Sequence, residues 1–338
     1  MPSSRASVPA QIEPPAPVKR GWRQHPYVKF ALRAGIGAGL IAFFLWRYNP
    51  RPILDLFARE RIGFFAATVV LYLLLQVVSS WRWRLVAGIV NVRGRFSEFI
   101  AYYFIGMFTN MFVPGLVGGD AARAIYLGRR HGRMSAAAAS VICDRSCGLF
   151  ALFIIAAAAA ISMRSILPRA IFAAVAAVGA CALLGFFAAP VIERLLRIIP
   201  GKIGDAIRSV SPYLSRPSAL LPALVLSFGV QFSLAFGQYI LALGLGLPIP
   251  FLLFLLCVPI GNAFASIPIT FNGLGVREAT YLLLFGAAGI RHEDAVALGL
   301  LWFAATLVAG LAGGSIAFLK TGAPATAPAM GQLPESTS

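Results

Sequence analysis

The sequence predicts an all-α polytopic membrane protein with about seven to nine hydrophobic helical segments, two of them broken or re-entrant. Three observations lead there. Of 338 residues, 59% are hydrophobic and 12% charged, so a soluble fold would leave most of its apolar surface in water. The apolar residues fall in runs separated by short basic connections. Two of the runs are interrupted by Pro, Gly and Asn, a composition hydrocarbon tolerates only where protein or a wet cavity satisfies the freed backbone groups.

The stretch 1–26, rich in Pro, Ser and Ala, reads as a disordered cytoplasmic tail, and 321–338 as a second disordered tail. Between them, 27–320 reads as one transmembrane domain without a soluble module of catalytic size. Hydrophobic runs occur at 31–46, 62–79, 99–117, 135–162, 170–190, 219–243, 249–271, 276–290 and 296–319. A straight crossing needs about 20 residues, which makes 99–117 and 276–290 the doubtful spans. Basic residues flank the first two runs: Lys19, Arg20, Arg23, Lys29 and Arg33 before one, Arg82, Arg84, Arg93 and Arg95 after the other. Both sites are expected in the cytoplasm. The run 99–117 is basic at both ends, so it is expected to dip in and return, with Pro114, Gly115, Gly118 and Gly119 forming its turn. Trp81, Trp83, Tyr102 and Tyr103 read mainly as interfacial anchors.

The second interruption runs from Pro259 through Asn262, Pro268, Asn272, Gly273 and Gly275 to Arg277 and Glu278. Both interruptions order Asn, Pro, a Gly-containing turn and a charged pair that opens a new helix. An inverted repeat with a site between its halves is one reading, and two independently kinked helices are the other.

The charged residues within these runs are the candidate site. Asp120 fits a helix N-cap, and with Arg123 one turn on it also fits a phosphate-holding pair beside the amides of a helix start. Asp144 and Arg145 lie in the run 135–162, where an unpaired charge is costly. Adjacent residues point about 100° apart on a helix, so each needs a partner elsewhere: Asp120 or Glu278 for Arg145, Arg123 or Arg277 for Asp144. Arg277 and Glu278 read either as a helix start or as a headgroup gate opposite Arg123. Cys143 and Cys147 read as small-residue packing, and three scattered histidines reveal no metal site.

At these residues a resemblance becomes specific. The pattern Asn110, Pro114-Gly115, Gly118-Gly119-Asp120, Arg123, then Asp144-Arg145 and Gly148, then Asn272-Gly273-Leu274-Gly275-Val276-Arg277-Glu278 resembles the flippase-like membrane family named for the transmembrane region of lysylphosphatidylglycerol synthase. Asp144 stands where that family usually carries Glu, and the segment Pro268 to Gly273 replaces a tighter Pro-Gly-Gly turn. The resemblance implies translocation of a phospholipid, glycolipid or polyprenyl-linked lipid between leaflets of the bacterial cytoplasmic (inner) membrane. It points to a lipid partner with a phosphate-containing or charged headgroup and to an associated lipid-biosynthesis enzyme. Full-length relatives add a soluble aminoacyl-transferase domain, for which this chain has no room.

The expected substrate site is Asn110, Asp120, Arg123, Asp144, Arg145, Asn272, Arg277 and Glu278, hinged at Pro114, Gly115, Gly118, Gly119, Pro268, Gly273 and Gly275. No catalytic residue, metal or cofactor is expected, and the absence of a Walker A pattern argues against direct ATP drive. The formal charge of +17 lies in short connections, which suits membrane orientation and anionic lipid contact rather than nucleic acid. The alternative is a membrane-embedded transferase or an accessory subunit of lipid or envelope biosynthesis, with Asp120 or Glu278 as base or headgroup clamp.

Overall fold

A computed structural model describes residues 61–112, 117–165, 167–196, 201–215, 217–266 and 275–321. Ten α-helices follow in these residues: α1 Ile62–Ile89, α2 Phe96–Phe112, α3 Val117–His131, α4 Met134–Ser162, α5 Arg169–Leu196, α6 Gly201–Leu214, α7 Leu221–Gly244, α8 Phe251–Ala265, α9 Val276–Ala287 and α10 His292–Thr321. There is no strand among them.

Five helices, α1, α4, α5, α7 and α10, are long and apolar enough to cross a bilayer. The chain is therefore a multi-pass membrane protein, all-helical where described, and the expectation of about seven to nine hydrophobic helical segments is corrected to five long spans among the described residues. The reason lies in the interruptions. The run 99–117 yields the 17-residue α2, followed by the 15-residue α3. The runs 249–271 and 276–290 yield α8 and α9, of 15 and 12 residues. None of these reaches the roughly 20 residues of a straight span, and the two interrupted pairs are unequal in length. The predicted first span at 31–46 and both predicted tails lie outside the described residues, apart from Thr321 at the end of α10.

Local chemistry sets the helix ends. Asn91 adopts a left-handed φ of 58°, and the Val92 N–H donates to the Ala87 carbonyl while the Asn91 N–H donates to Gly88, closing α1 with a Schellman turn. Gly132 closes α3 similarly, at φ 63° with the Arg133 N–H on the Gly128 carbonyl. These two turns meet: Arg133 Nη1 donates to the Asn91 carbonyl at 3.1 Å, and Arg130 pairs with Glu98 at 3.5 Å. The basic connections before α2 and after α3 thus occupy one end of the bundle.

Helix α4 is the hub, packing against α1, α3, α5, α6, α7 and α8, while α1 lies along α7 and α10 along α2. Its many alanines, among them the buried Ala137, Ala139, Ala151, Ala156, Ala159 and Ala160, let neighbouring backbones approach closely. One apolar cluster surrounds Phe254, Tyr281, Phe285 and Trp302, and a second surrounds Trp83, Phe99 and Leu127. Between them the packing opens around charged side chains.

Candidate functional site

The charged network is built from α1, α3 and α4, with α2 packed beside it. Asp144, fully buried on α4, accepts from Arg82 Nε of α1 at 2.7 Å and from Arg123 Nη1 of α3 at 3.4 Å. Arg82 also donates to the Ser227 hydroxyl of α7 at 3.0 Å. Arg123 Nη2 donates to Asp120 Oδ1 at 2.5 Å, and the second Asp120 oxygen accepts from Arg145 Nε at 2.7 Å. The chain of contacts therefore runs Arg82, Asp144, Arg123, Asp120, Arg145. Three guanidinium groups share two carboxylates.

Arg123 is further sandwiched by aromatic faces, its guanidinium carbon 4.5 Å from the Tyr103 ring centre and 5.1 Å from that of Trp83. Such stacking favours a cation taken out of water. Trp83 is itself fixed by its indole N–H on the Ser140 hydroxyl at 3.1 Å. The pairing of α2 with α3 depends on Asn110, whose side-chain oxygen accepts from the Gly119 N–H at 2.6 Å across the interruption. A Cβ at Gly119 would collide with the Gly106 carbonyl and the Asn110 amide, so glycine serves close approach here rather than a turn.

A cavity of about 440 Å³ opens on this network. It is reached by side chains from α1, α2, α3, α4, α7, α8, α9 and α10, including Gln76, Asn110, Asp120, Gln231, Asn262 and Ser266. Four arginines line it, Arg82, Arg123, Arg145 and Arg277, against one aspartate, Asp120. Arg277 is 7% exposed, and its Nε and Nη1 atoms have no hydrogen-bond partner among the described residues.

The lysylphosphatidylglycerol synthase TM region model matches residues 30–314, most of the chain. The protein belongs to that family. No curated protein and no solved structure matches the chain. Family membership and five apolar spans together define a polytopic membrane protein of a lipid-associated family, all-helical where described and without a soluble β-sheet catalytic domain among the described residues.

Within this family member the predicted residues divide. Asn110, Asp120, Arg123, Arg145 and Arg277 line the cavity. Asp144 stands behind them, holding Arg82 and Arg123. Asp144 and Arg145 do not pair with each other: Arg145 goes to Asp120, and Asp144 takes Arg123 along with Arg82. Asp120 lies in the first turn of α3 rather than ahead of it, so its oxygens serve arginines instead of capping.

Glu278 turns away from the cavity. Its Oε2 accepts from the Gly275 N–H at 2.6 Å, where Gly275 has φ 83°, and its side chain packs against Gly299 of α10. Gly118 and Gly119 belong to α3 itself. Pro114, Gly115, Pro268, Asn272 and Gly273 lie outside the described residues.

Sequence reasoning missed Arg82 as a site residue, treating it as an orientation charge, and treated Trp83 and Tyr103 as interfacial anchors. Trp83 is fully buried and Tyr103 lines the cavity, whereas Trp81 is exposed. A usable signal was present. Tyr72, Gln76, Ser79 and Arg82 are spaced by four, three and three residues inside an apolar run, which places a polar stripe on one face of α1.

Proposed function

We propose that the protein is a lipid flippase of the bacterial cytoplasmic membrane, passing a lipid with a charged headgroup between leaflets while the hydrocarbon chains stay in the bilayer. The observation that carries this reading is an arginine-lined cavity inside an otherwise apolar bundle, reached by helices from both interrupted pairs. A headgroup crossing hydrocarbon must shed water, and fixed dipoles and charges along its path substitute for that water. Arg123 and Arg145 would supply this from one side and Arg277 from the other. A second cavity of about 430 Å³, almost wholly apolar, lies between α4, α5, α6 and α7 and shares Leu149 with the first. A polar compartment beside an apolar one suits an amphipathic substrate.

Of the carboxylates that a transferase would use as a base, Asp120 is engaged by two arginines, and Glu278 lies outside the cavity lining, with Oε2 on a backbone amide and Oε1 against Gly299. Transport is therefore the better reading of this site. The test reconstitutes the full chain in vesicles and follows leaflet exchange of labelled lipids. Arg123→Gln and Arg277→Gln should each remain inserted and slow exchange at least about tenfold, the loss of about 1.4 kcal/mol of barrier stabilisation. The double variant should lose less than the sum of the two effects, because both act on one path. Wild-type rates in both single variants, for a lipid the wild type moves, would defeat the reading.

A further inference from the structure

We infer that the cavity selects an anionic, phosphate-bearing headgroup and rejects cationic ones, with the Arg277 guanidinium as the group that receives the phosphate. The inference rests on the lipid-transport reading above and names its substrate class.

The charge inventory decides the sign. Four arginines face the cavity against one aspartate, a formal excess of three positive charges. Including Asp144 and Glu278, which stand behind the lining, still leaves one. Every carboxylate oxygen that an ammonium headgroup would seek is taken. Both Asp120 oxygens accept from arginines, as do both Asp144 oxygens. The remaining free carboxylate oxygen, Glu278 Oε1, lies against Gly299 in the protein interior.

Donors, by contrast, are left over. Arg277 lines the cavity and is 7% exposed, and its Nε and Nη1, both sealed behind the cavity surface, are without partners among the described residues. Nε–H shares an edge with Nη2, as in the Arg145 pairing with Asp120 and the Arg291 pairing with Asp294, so the two unused donors, Nε and Nη1, lie on different sides of the guanidinium and each offers a single contact to a phosphate oxygen. A buried cation with unused donors is expensive unless a ligand completes it, and an anion does so at least cost. Arg145, with 41% of its side chain exposed, offers a second cation at the rim. Asn110, Gln231 and Asn262 add neutral polar groups to the lining but no negative charge.

The test measures binding of short-chain lipids to the purified full chain in detergent. Matched dihexanoyl lipids serve as probes: phosphatidylglycerol for an anionic headgroup, phosphatidylcholine for a zwitterionic one, and a diacyl trimethylammonium for a cationic one. Glycerol 3-phosphate without chains distinguishes a lipid source from a free phosphate. Phosphatidylglycerol should bind at least tenfold tighter than the other two lipids and weaken as salt rises. Glycerol 3-phosphate should bind more weakly than its lipid counterpart, and tighter binding of the chainless phosphate would overturn the lipid assignment.

Arg277→Gln should lose about tenfold or more toward phosphatidylglycerol with phosphatidylcholine unchanged, and Arg277→Lys should recover part of the loss as a point charge. Arg145→Gln, at a half-exposed position that tolerates change, tests the same sign of effect if Arg277→Gln fails to fold. Equal or tighter binding of the cationic lipid, or unchanged phosphatidylglycerol affinity in a folded Arg277 or Arg145 variant, would overturn the inference. Vesicle exchange separates it from the broader reading. Movement of zwitterionic or cationic lipid alone would sink the anion assignment and leave transport standing, whereas selective anion binding without movement would do the reverse.

Discussion

Replacing Asp144 by alanine removes the carboxylate that Arg82 contacts and one of the two that Arg123 contacts. Arg123 would keep Asp120. Arg82 would keep only the Ser227 hydroxyl among the described residues, with its side chain 7% exposed. Breaking a buried pair in this way costs about 3–5 kcal/mol, because the survivor is left as an uncompensated charge. Arg82 also lines the cavity, where water can reach it, so the lower end of that range applies. Asp144→Asn keeps the shape and one acceptor for Arg82 Nε, and should recover about 1–2 kcal/mol of the loss. Asp144→Ala combined with Arg82→Met should be more stable than Asp144→Ala alone, since the stranded charge is gone. Thermal unfolding of the purified protein in detergent, with membrane abundance alongside, should order the proteins as wild type, Asp144→Asn, then Asp144→Ala. Equal stability for those three, or no rescue by Arg82→Met, would refute the claim that Asp144 is held in place by its charge.

Gly119→Ala should destabilise the fold by about 1–3 kcal/mol through overpacking against the Gly106 carbonyl and the Asn110 amide, read as a lower melting temperature. Glu278→Gln should retain the acceptor for the Gly275 N–H, while Glu278→Ala loses it and should cost about 1–3 kcal/mol more in the same assay. Single cysteines placed at 93–95 and at 129–133 in a cysteine-free variant should react with an impermeant thiol reagent from the same side of the membrane, as the Arg133 and Arg130 contacts require; labelling from opposite sides would contradict the shared end. Arg130→Ala should change stability by less than about 0.5 kcal/mol, since the Arg130 side chain is 65% exposed and meets Glu98 only at 3.5 Å.

Much of this protein was legible in its sequence because the relevant physics is local. Apolar runs in a chain that is 59% hydrophobic require a membrane, and charges placed inside such runs require partners or water. That reasoning singled out Asn110, Asp120, Arg123, Arg145 and Arg277, all of which line one cavity, and Asp144 behind them. Proline and glycine mark where helices stop, so the two interruptions were visible too.

The tertiary structure decided what depends on packing between distant segments. The number of long spans is five among the described residues: the length of 99–117 and 276–290 already made those runs doubtful, but the 23-residue run 249–271 gives no sign that α8 stops after 15 residues. Which carboxylate meets which arginine was equally out of reach. Asp144 lies 62 residues from Arg82, and only the crossing of α1 over α4 brings them to 2.7 Å. The same crossing, with α2 alongside, turns Trp83 and Tyr103 from interfacial candidates into the aromatic walls of Arg123. A sequence shows that a buried charge needs a partner, but the choice of partner is made by helix rotation and contact, which no single segment carries.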